Sequence, residues 1–427
     1  GADILSGASK ANSAILHTGF DAPADSLGLA CIKAGYREYL EISEKMNLPT
    51  LECGALVVAW DEAQLEDLKG IVEAAHTNGF KDVGLIERKT LLDREGNLSN
   101  KALGAVEVPR EFVIDPWSAP LAYLTQAVRA GAEYRFNAEV TGGTFDGARW
   151  YISAGENTYA GTIVVNCTGT NGDHIEEIRG EVDFEIRPRK GQFLVFDKSA
   201  SSLINAIILP VPTPTTKGVV LAKTIFGNLL LGPTAEEQSD RWKASVTHDA
   251  LQMLMETGHR ILPELRTHAI TATYAGLRPA TQFKDYQISA DGAKNWIGVN
   301  GIRSTGLTSA LGIAAYVEKL CAENFADVVG FGPTVSPSWP KMPMLAQDQA
   351  RAYQEGDGTE IVCHCEGVTR GEIERAMSSE IPALNPGGLR RRTRVMMGRC
   401  NGFYCSARVA EITKGKINPP IAPEGES

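Results

Sequence analysis

Four of the eight cysteines stand close together near the C-terminus, as Cys363-His-Cys365 and Cys400-Asn-Gly-Phe-Tyr-Cys405, and no other feature restricts the chain as strongly. Thiols paired in two segments ask for a shared metal centre. A [2Fe–2S] cluster takes four thiolates, two per iron, so each close pair can serve one iron once the fold brings the pairs together. Zinc is the alternative, but structural zinc pairs usually keep about two to four residues between ligands, and Cys-x-Cys is tighter. Iron–sulfur is the first reading, with Cys363, Cys365, Cys400 and Cys405 as ligands and His364 as an outward spacer. Thr369 opens an amphipathic stretch, which predicts a helix start soon after the first pair. Free backbone N–H groups there soften negative charge on a cluster. Arg390, Arg391, Arg392, Arg394 and Arg399 either add local positive charge or form a solvated face. The remaining thiols, Cys31, Cys53, Cys167 and Cys321, read as core residues. Cys167 closes the run TIVVNC, expected to be a buried strand.

At 427 residues the chain exceeds one small core, and two or three domains are expected. Length alone removes any need for disulfides, so the cysteine group points to a reducing compartment. Helical spacing marks 25–46, 62–78 and 306–326, and a further helix is expected at about 236–260. Asp61 and Gly79 bracket the second of these as start and stop signals. Apolar, β-branched runs mark strands at 52–60, at 158–169 and through 181–235, with another ending near Val140. These elements divide into blocks that the chain visits alternately. Mixed helix and strand fill 1–47, 106–180 and 291–328. A mainly antiparallel sheet is expected from 48–105 and 181–290. A proline-rich stretch makes 329–358 a linker, and 359–427 a separate small unit.

Between Gly7 and Asp21 small and polar residues crowd the loop before a helix. Read without relatives, Ser9 to Ser13 form a plain turn first and a cofactor loop second, and His17 in its apolar run is a core histidine first. Arg278 can be read as capping a turn, and Lys223 as a solvated strand residue.

Taken together, several stretches resemble the flavin-dependent glycerol-3-phosphate dehydrogenase and oxidase family, whose relatives include L-2-hydroxyglutarate oxidases. They are SKANSAILHTGFD (9–21), ECGALVVA (52–59), EFVIDPWSAPLAYLTQA (111–127), VVNCTGTNGD (164–173), RKGQFLVFDK (189–198), GNLLLGPTAE (227–236), YAGLRPAT (274–281) and GLTSALGIAA (306–315). The cysteine tail with LRRRTRVMMGRC (389–400) is similar to the bacterioferritin-associated-ferredoxin-like (BFD-like) domain of anaerobic dehydrogenases in this family. The resemblance implies an α/β fold: a Rossmann-like FAD-binding domain interleaved with an antiparallel-sheet substrate domain, plus a small helical [2Fe–2S] domain. It implies FAD beside Ser9, Lys10, Ala11, Asn12 and Ser13, with Val140 meeting the adenine and Thr168–Gly169 near the dinucleotide. The helix start at Gly306, Leu307, Thr308 and Ser309 would aim its N–H groups at the flavin. His17 is the implied base for the hydroxyl proton, suited by an imidazole that titrates near neutrality. Lys223, Arg278 and Ser304 are the implied contacts to an anionic substrate; Arg303 stands where relatives often carry an acid. Family members begin with a strand, a G-x-G-x-x-G turn and a helix that hold the pyrophosphate, and no G-x-G-x-x-G occurs here. The expectation is of a chain that starts just beyond that unit.

The formal net charge of -10 argues against a general nucleic-acid binder. No long apolar run predicts a membrane span, and the first residues lack the pattern of a secretory signal. A cytoplasmic dehydrogenase follows, peripheral at the inner membrane where a partner holds it. Oxidases of the family lack the cysteine tail, so electrons are expected to leave through the cluster to an acceptor subunit, with quinone as a candidate beyond it. The substrate is expected to be glycerol-3-phosphate, or otherwise an L-2-hydroxy acid such as 2-hydroxyglutarate. From another class, a non-catalytic electron-transfer subunit would carry the cluster without flavin.

Overall fold

The computed structural model describes residues 1–213, 218–328 and 336–422. Its largest sheet among these residues has nine strands and is antiparallel except where Ile207–Pro210 runs parallel to Ala55–Ala59. Burial explains why Ala55–Ala59 reads as an unbroken apolar run. Ala55, Val57 and Ala59 face one core with Leu68 and Ala75 of the helix Glu62–Thr77. Leu56 and Val58 face the other, with Leu254 and Ile261 of the helix His248–Ile261. A strand covered on both faces has no reason to alternate polar residues. The Asp61 carboxylate caps the first helix by accepting from the Gln64 N–H at 2.9 Å, and Gly79 follows its end at φ +93°.

The second layer is built around two long helices, Leu27–Met46 and Gly306–Phe325. They cross at Gly35 and Gly312, where a methyl group on either residue would run into the backbone of the other helix. Beside them lie the parallel pair Val164–Asn166 and Trp296–Asn300, and an antiparallel meander from Val140–Phe145 to Asn157–Gly161. The strand Arg187–Phe196 pairs along its length with Ile270–Ala280 and carries the nine-stranded sheet to this layer.

Several expectations shift. The helix expected at 236–260 starts only at His248, because the Asp240 carboxylate turns the chain by accepting from the Trp242 and Lys243 N–H groups. A strand starts at Val140 rather than ending there; in 132–139 the described backbone bonds run from the Ala132 N–H to the Ala127 carbonyl and from the Asn137 N–H to the Gly1 carbonyl, with no described strand alongside. The 158–169 run divides between two sheets. Val164–Asn166 is an edge strand, so Cys167 is exposed rather than buried. Gly104–Val108 belongs wholly to the large sheet, past the boundary expected at 105.

The expected linker lies partly outside the described residues. Its part from 336 onward is packed against the body rather than loose. Met342 exchanges backbone and side-chain bonds with Met46 and Asn47, and Leu345 and Ala346 are buried in the main core. Trp339, Met342 and Leu345 are apolar enough to hold the segment down despite its prolines. The C-terminal unit has a short hairpin, Ile361–Cys363 with Val368–Thr369, and the helices Arg370–Ser378, Pro386–Thr393 and Ser406–Thr413 around its own core. Thr369 and Glu372 form a capping box at the first of these helices. No described helix is long and apolar enough to cross a membrane.

Candidate active site and iron–sulfur centre

The sequence places His17 just after the short strand Ile15–Leu16, and the fold hands it two partners. Its Nδ1 lies 2.9 Å from Glu111 Oε2. Its backbone N–H donates to Thr308 Oγ1 at 2.9 Å. Glu111 is fully buried, and its other oxygen accepts from the Thr18 N–H at 2.6 Å and hydroxyl at 2.7 Å. With the Nδ1 proton directed at that carboxylate, the neutral ring keeps Nε2 as a lone-pair acceptor. The arrangement fixes the orientation of the ring, which keeps 24% exposure. Sequence reasoning misses Glu111, whose one signal is a carboxylate at the head of the apolar run EFVI.

The loop that carries Ser9 to Ser13 begins as a 3-10 turn, Ala8–Lys10, and is pinned to the strand Ile270–Ala280. The Tyr274 hydroxyl donates to the Asn12 carbonyl at 2.7 Å, and a Cβ on Gly276 would lie 2.6 Å from Ala11 Cβ. Gly276 is therefore required for the loop to approach the strand. Asn12 stabilises the loop from within, through bonds with the Ser9 carbonyl and the Ala14 N–H. Trp117 Nε1 holds the Lys10 carbonyl.

The helix Gly306–Phe325 starts beside His17 with no side-chain cap. Its first N–H groups can serve an anion, but that of Ser309 cannot. Ser309 is buried and its N–H already donates to the Thr305 carbonyl, as the fourth residue of any helix must. Its expected contact to flavin through that group is therefore corrected. Thr308 is likewise turned inward, between His17 and the Ile15 carbonyl. Thr168 and Gly169 form a turn fixed by Asn166, with Gly169 at φ +63°. Val140 lies across from Ala154 in the meander.

Arg278 lies two residues beyond Gly276 on the same strand face and donates to the Thr234 carbonyl at 3.2 Å. Burial, then the neighbouring Arg189, holds its pKa down to about 10. Lys223 ends the strand Val220–Lys223; it and Glu111 both act on the half-buried Cys53 thiol, which burial pushes up to about 11. Lys223 acts on the Glu95 carboxyl as well, and Leu221, two residues earlier on the same strand face, packs in the core opposite the one that holds Ala222 and Ile15. Ser304 is exposed in the turn before the long helix.

In the C-terminal unit the thiols lie as two neighbouring pairs, Cys365 with Cys400 and Cys363 with Cys405. These contacts cross the two segments, and within the segments Cys363 also acts on Cys365 and Cys400 on Cys405. Burial, then Cys363, pushes Cys405 up to about 12, while the Tyr404 N–H, with those of Gly402 and Phe403, holds Cys400 below the ordinary thiol range. Among the described residues no three His, Cys, Asp or Glu side chains converge on one point as a single metal ion needs. Four thiols from two segments, each acting on the others, suit a two-iron core with two thiolates to each iron. All eight cysteines are free. His364 is exposed. The arginines mostly do other work than expected. Arg392 grips Asp3 with two bonds at 2.7 and 2.8 Å, and Arg391 reaches the same carboxylate. Arg394 pairs with Glu366 at 2.7 Å and covers the Phe226 ring at 4.1 Å. Phe226 in turn stacks on Trp117, whose indole holds the Lys10 carbonyl. An unbroken line of contacts thus joins the Ser9–Ser13 loop to Glu366, next to Cys365.

Comparison with known proteins identifies the class these features define. Residues 1–320 match the FAD dependent oxidoreductase family (DAO), and residues 361–414 match the BFD-like [2Fe-2S] binding domain. The chain belongs to the FAD dependent oxidoreductase family, and its cofactors are FAD and a [2Fe–2S] cluster. It is 32% identical to a glycerol 3-phosphate dehydrogenase of Caloramator mitchellensis over 96% of this chain and 86% of that one. It is 24% identical to a subunit of the anaerobic glycerol-3-phosphate dehydrogenase of Escherichia coli K12, over 96% of this chain and 82% of that one. In fold it is similar to the dithionite-reduced, FAD-bound L-alpha-glycerophosphate oxidase of Mycoplasma pneumoniae, with TM-score 0.71 and 23% identity over 79% of this chain and 89% of that one.

Proposed function

We propose that this chain oxidises the secondary alcohol of glycerol-3-phosphate to dihydroxyacetone phosphate and delivers the electrons to an acceptor subunit. The observation that carries the reading is the oriented His17–Glu111 pair beside the Ser9–Ser13 loop, with Arg278 on the strand face below that loop. FAD supplies a hydride acceptor and the [2Fe–2S] cluster a one-electron outlet. The chain's own residues supply the rest. His17 Nε2 takes the hydroxyl proton as the carbon gives up its hydride, and buried Glu111 stabilises the imidazolium that results. Arg278, Lys223 and Ser304 hold the anionic end of the substrate. Ser9, Lys10, Ala11, Asn12 and Ser13, with Gly306, Leu307 and Thr308, line the flavin side; Val140, Thr168 and Gly169 lie towards the dinucleotide. Cys363, Cys365, Cys400 and Cys405 ligate the irons.

Phe403 and Tyr404, between two of these ligands, are 80% and 82% exposed. Their exposure supports an exit for electrons on this side of the cluster, towards an acceptor subunit. The reading places the protein in the cytoplasm, with membrane contact made by that partner and quinone as a candidate acceptor beyond it. Anaerobic dye reduction by the purified chain with glycerol-3-phosphate and with L-2-hydroxyglutarate tests the substrate. Faster reduction by the phosphate ester supports the reading, and faster reduction by the hydroxy acid replaces it. A visible spectrum with cluster bands but no flavin bands would point to an electron-transfer subunit instead.

A further inference from the structure

Between the Ser9–Ser13 loop and the cysteine unit the fold packs one line of side chains drawn from distant parts of the chain. Trp117 stands at the start of the helix Ser118–Arg129 and is fixed twice. Its backbone N–H donates to buried Asp115 at 2.9 Å, and its indole N–H donates to the Lys10 carbonyl at 3.3 Å. Phe226 stacks on it, with ring centroids 5.1 Å apart and planes 18° apart. The Arg394 guanidinium lies over the Phe226 ring at 4.1 Å, and its Nε donates to Glu366 at 2.7 Å. Glu366 directly follows Cys365, and both reach the same spot: a Cβ on Gly398 would lie 3.3 Å from Glu366 Oε1 and 3.4 Å from Cys365 Sγ.

The middle of this line is clamped. Phe226 belongs to the turn between the strands Val220–Lys223 and Leu229–Gly232. Gln347 holds that turn: its N–H donates to the Ile225 carbonyl at 2.9 Å, and its side chain leaves no room for a Cβ on Gly227. The Gln347 amide oxygen accepts from Lys198 at 2.6 Å, and Lys198 pairs with Glu366 at 3.3 Å. Arg394 takes φ +66° at its helix end, a conformation that Gly or Asn usually fills. Its side-chain contacts offset that cost. Phe226, Glu366 and Arg394 are all buried, so the line runs through the interior.

A second line links the same two regions. The Asn401 amide, next to Cys400, donates to the Thr271 carbonyl at 3.1 Å, and Tyr274 on that strand donates to Asn12. It starts from an exposed residue and follows strand backbone for three residues. Electron transfer weakens steeply with every gap between donor and acceptor. The first line has stacked rings and a guanidinium where the second has an exposed amide.

We propose that Trp117, Phe226 and Arg394 are the bridge by which electrons cross from the Ser9–Ser13 loop to Cys365. The inference rests on the proposed reading that this loop lines the flavin and that Cys365 is a cluster ligand, and it names what joins them. Each crossing carries one electron and makes or breaks no bond. Reduced flavin gives the electron up and the oxidised cluster takes it. The acceptor subunit empties the cluster before the second electron follows, and the flavin's proton leaves to water.

The test uses the full-length holoprotein and needs no substrate. A light flash with EDTA as electron donor reduces the flavin; flavin absorbance and the paramagnetic signal of the reduced cluster are then followed in time. Phe226→Ala opens a gap in the line and should slow cluster reduction about tenfold or more, the order of loss seen for outer-shell partners of metal sites. Cofactor content, cluster potential and the rate of flavin bleaching by glycerol-3-phosphate should stay those of the parent. Phe226→Leu, which keeps bulk and loses the ring, falls between and decides the matter if the alanine variant does not fold. Phe226→Tyr restores the parent rate. Parent rates in both Phe226→Ala and Phe226→Leu overturn the bridge, as does a slower rate matched by a shifted cluster potential. A slower rate in Tyr274→Phe alone moves the route to the strand. A parent whose flash-driven transfer depends on Phe226 but whose flavin is not bleached by glycerol-3-phosphate keeps the bridge and sinks the substrate reading.

Discussion

The proposed role of His17 as a base depends on its neighbours. Alone in the run ILH it carries no sign of chemistry, but Glu111 Oε2 lies 2.9 Å from its Nδ1 and leaves Nε2 as the nitrogen free to meet a substrate. Removing the ring should slow flavin reduction by about 10²–10⁴-fold while flavin content stays the same, as stopped-flow reduction with glycerol-3-phosphate would read. Glu111→Gln keeps the size and loses the charge. It should slow the same step by about 10–100-fold, an effect typical of a group that orients another. Unchanged rates in both variants would return His17 to the core. The residues of this site were legible in the sequence by resemblance, and the structure brings His17 and Thr308 together. Glu111 was not, because a carboxylate in an apolar strand looks like an error until the partner 94 residues earlier in the chain arrives beside it.

At the scale of elements, local signals served well where they were strong. Asp61 with Gly79, and Thr369, mark helix ends by local chemistry that needs no tertiary partner. The pattern failed where tertiary context decides, as in the edge strand at Cys167 and the turn around Asp240. The clearest case is the arginine run near the C-terminus. Charge alone suggested a field around the cluster, whereas the fold uses Arg391 and Arg392 to dock the small unit onto Asp3. Arg392 is about as buried as a core residue, at 6% exposure. Asp3→Asn strands that charge and should destabilise the C-terminal unit by about 3–5 kcal/mol, seen as earlier loss of the cluster absorbance on urea titration. Asp357 makes a pH-dependent contribution to the same unit. Arg375, then Thr369, holds its carboxyl down to about 2. A lowered carboxylate stabilises fully above its unfolded value near ~3.9 and loses that effect as pH falls towards ~2. Asp357→Asn should therefore be less stable than the parent at neutral pH, with the gap closing between about pH 4 and 2 in thermal melts of the cluster-free protein.

On the scale of the whole molecule, the two cofactor regions are tied into one body. Glycines at the helix crossing bring Leu27–Met46 against Gly306–Phe325, and that contact sets His17 and Thr308 side by side. The packed segment from 336 onward and the Asp3 anchor then hold the cysteine unit against the same layer. Overall class was readable because the cysteine spacing and the flavin-side stretches each speak for a domain. The interleaving was readable in outline only, since strand partners come from blocks more than a hundred residues apart.

The central claim is that the electrons of the hydride released beside His17 reach the cluster held by the four thiols. Anaerobic addition of glycerol-3-phosphate, followed by electron paramagnetic resonance, tests it directly. The account predicts the signal of a reduced [2Fe–2S] cluster in the parent, its loss in Cys400→Ser and its slow appearance in His17→Ala. Flavin bleaching by the substrate with the cluster left oxidised would contradict it.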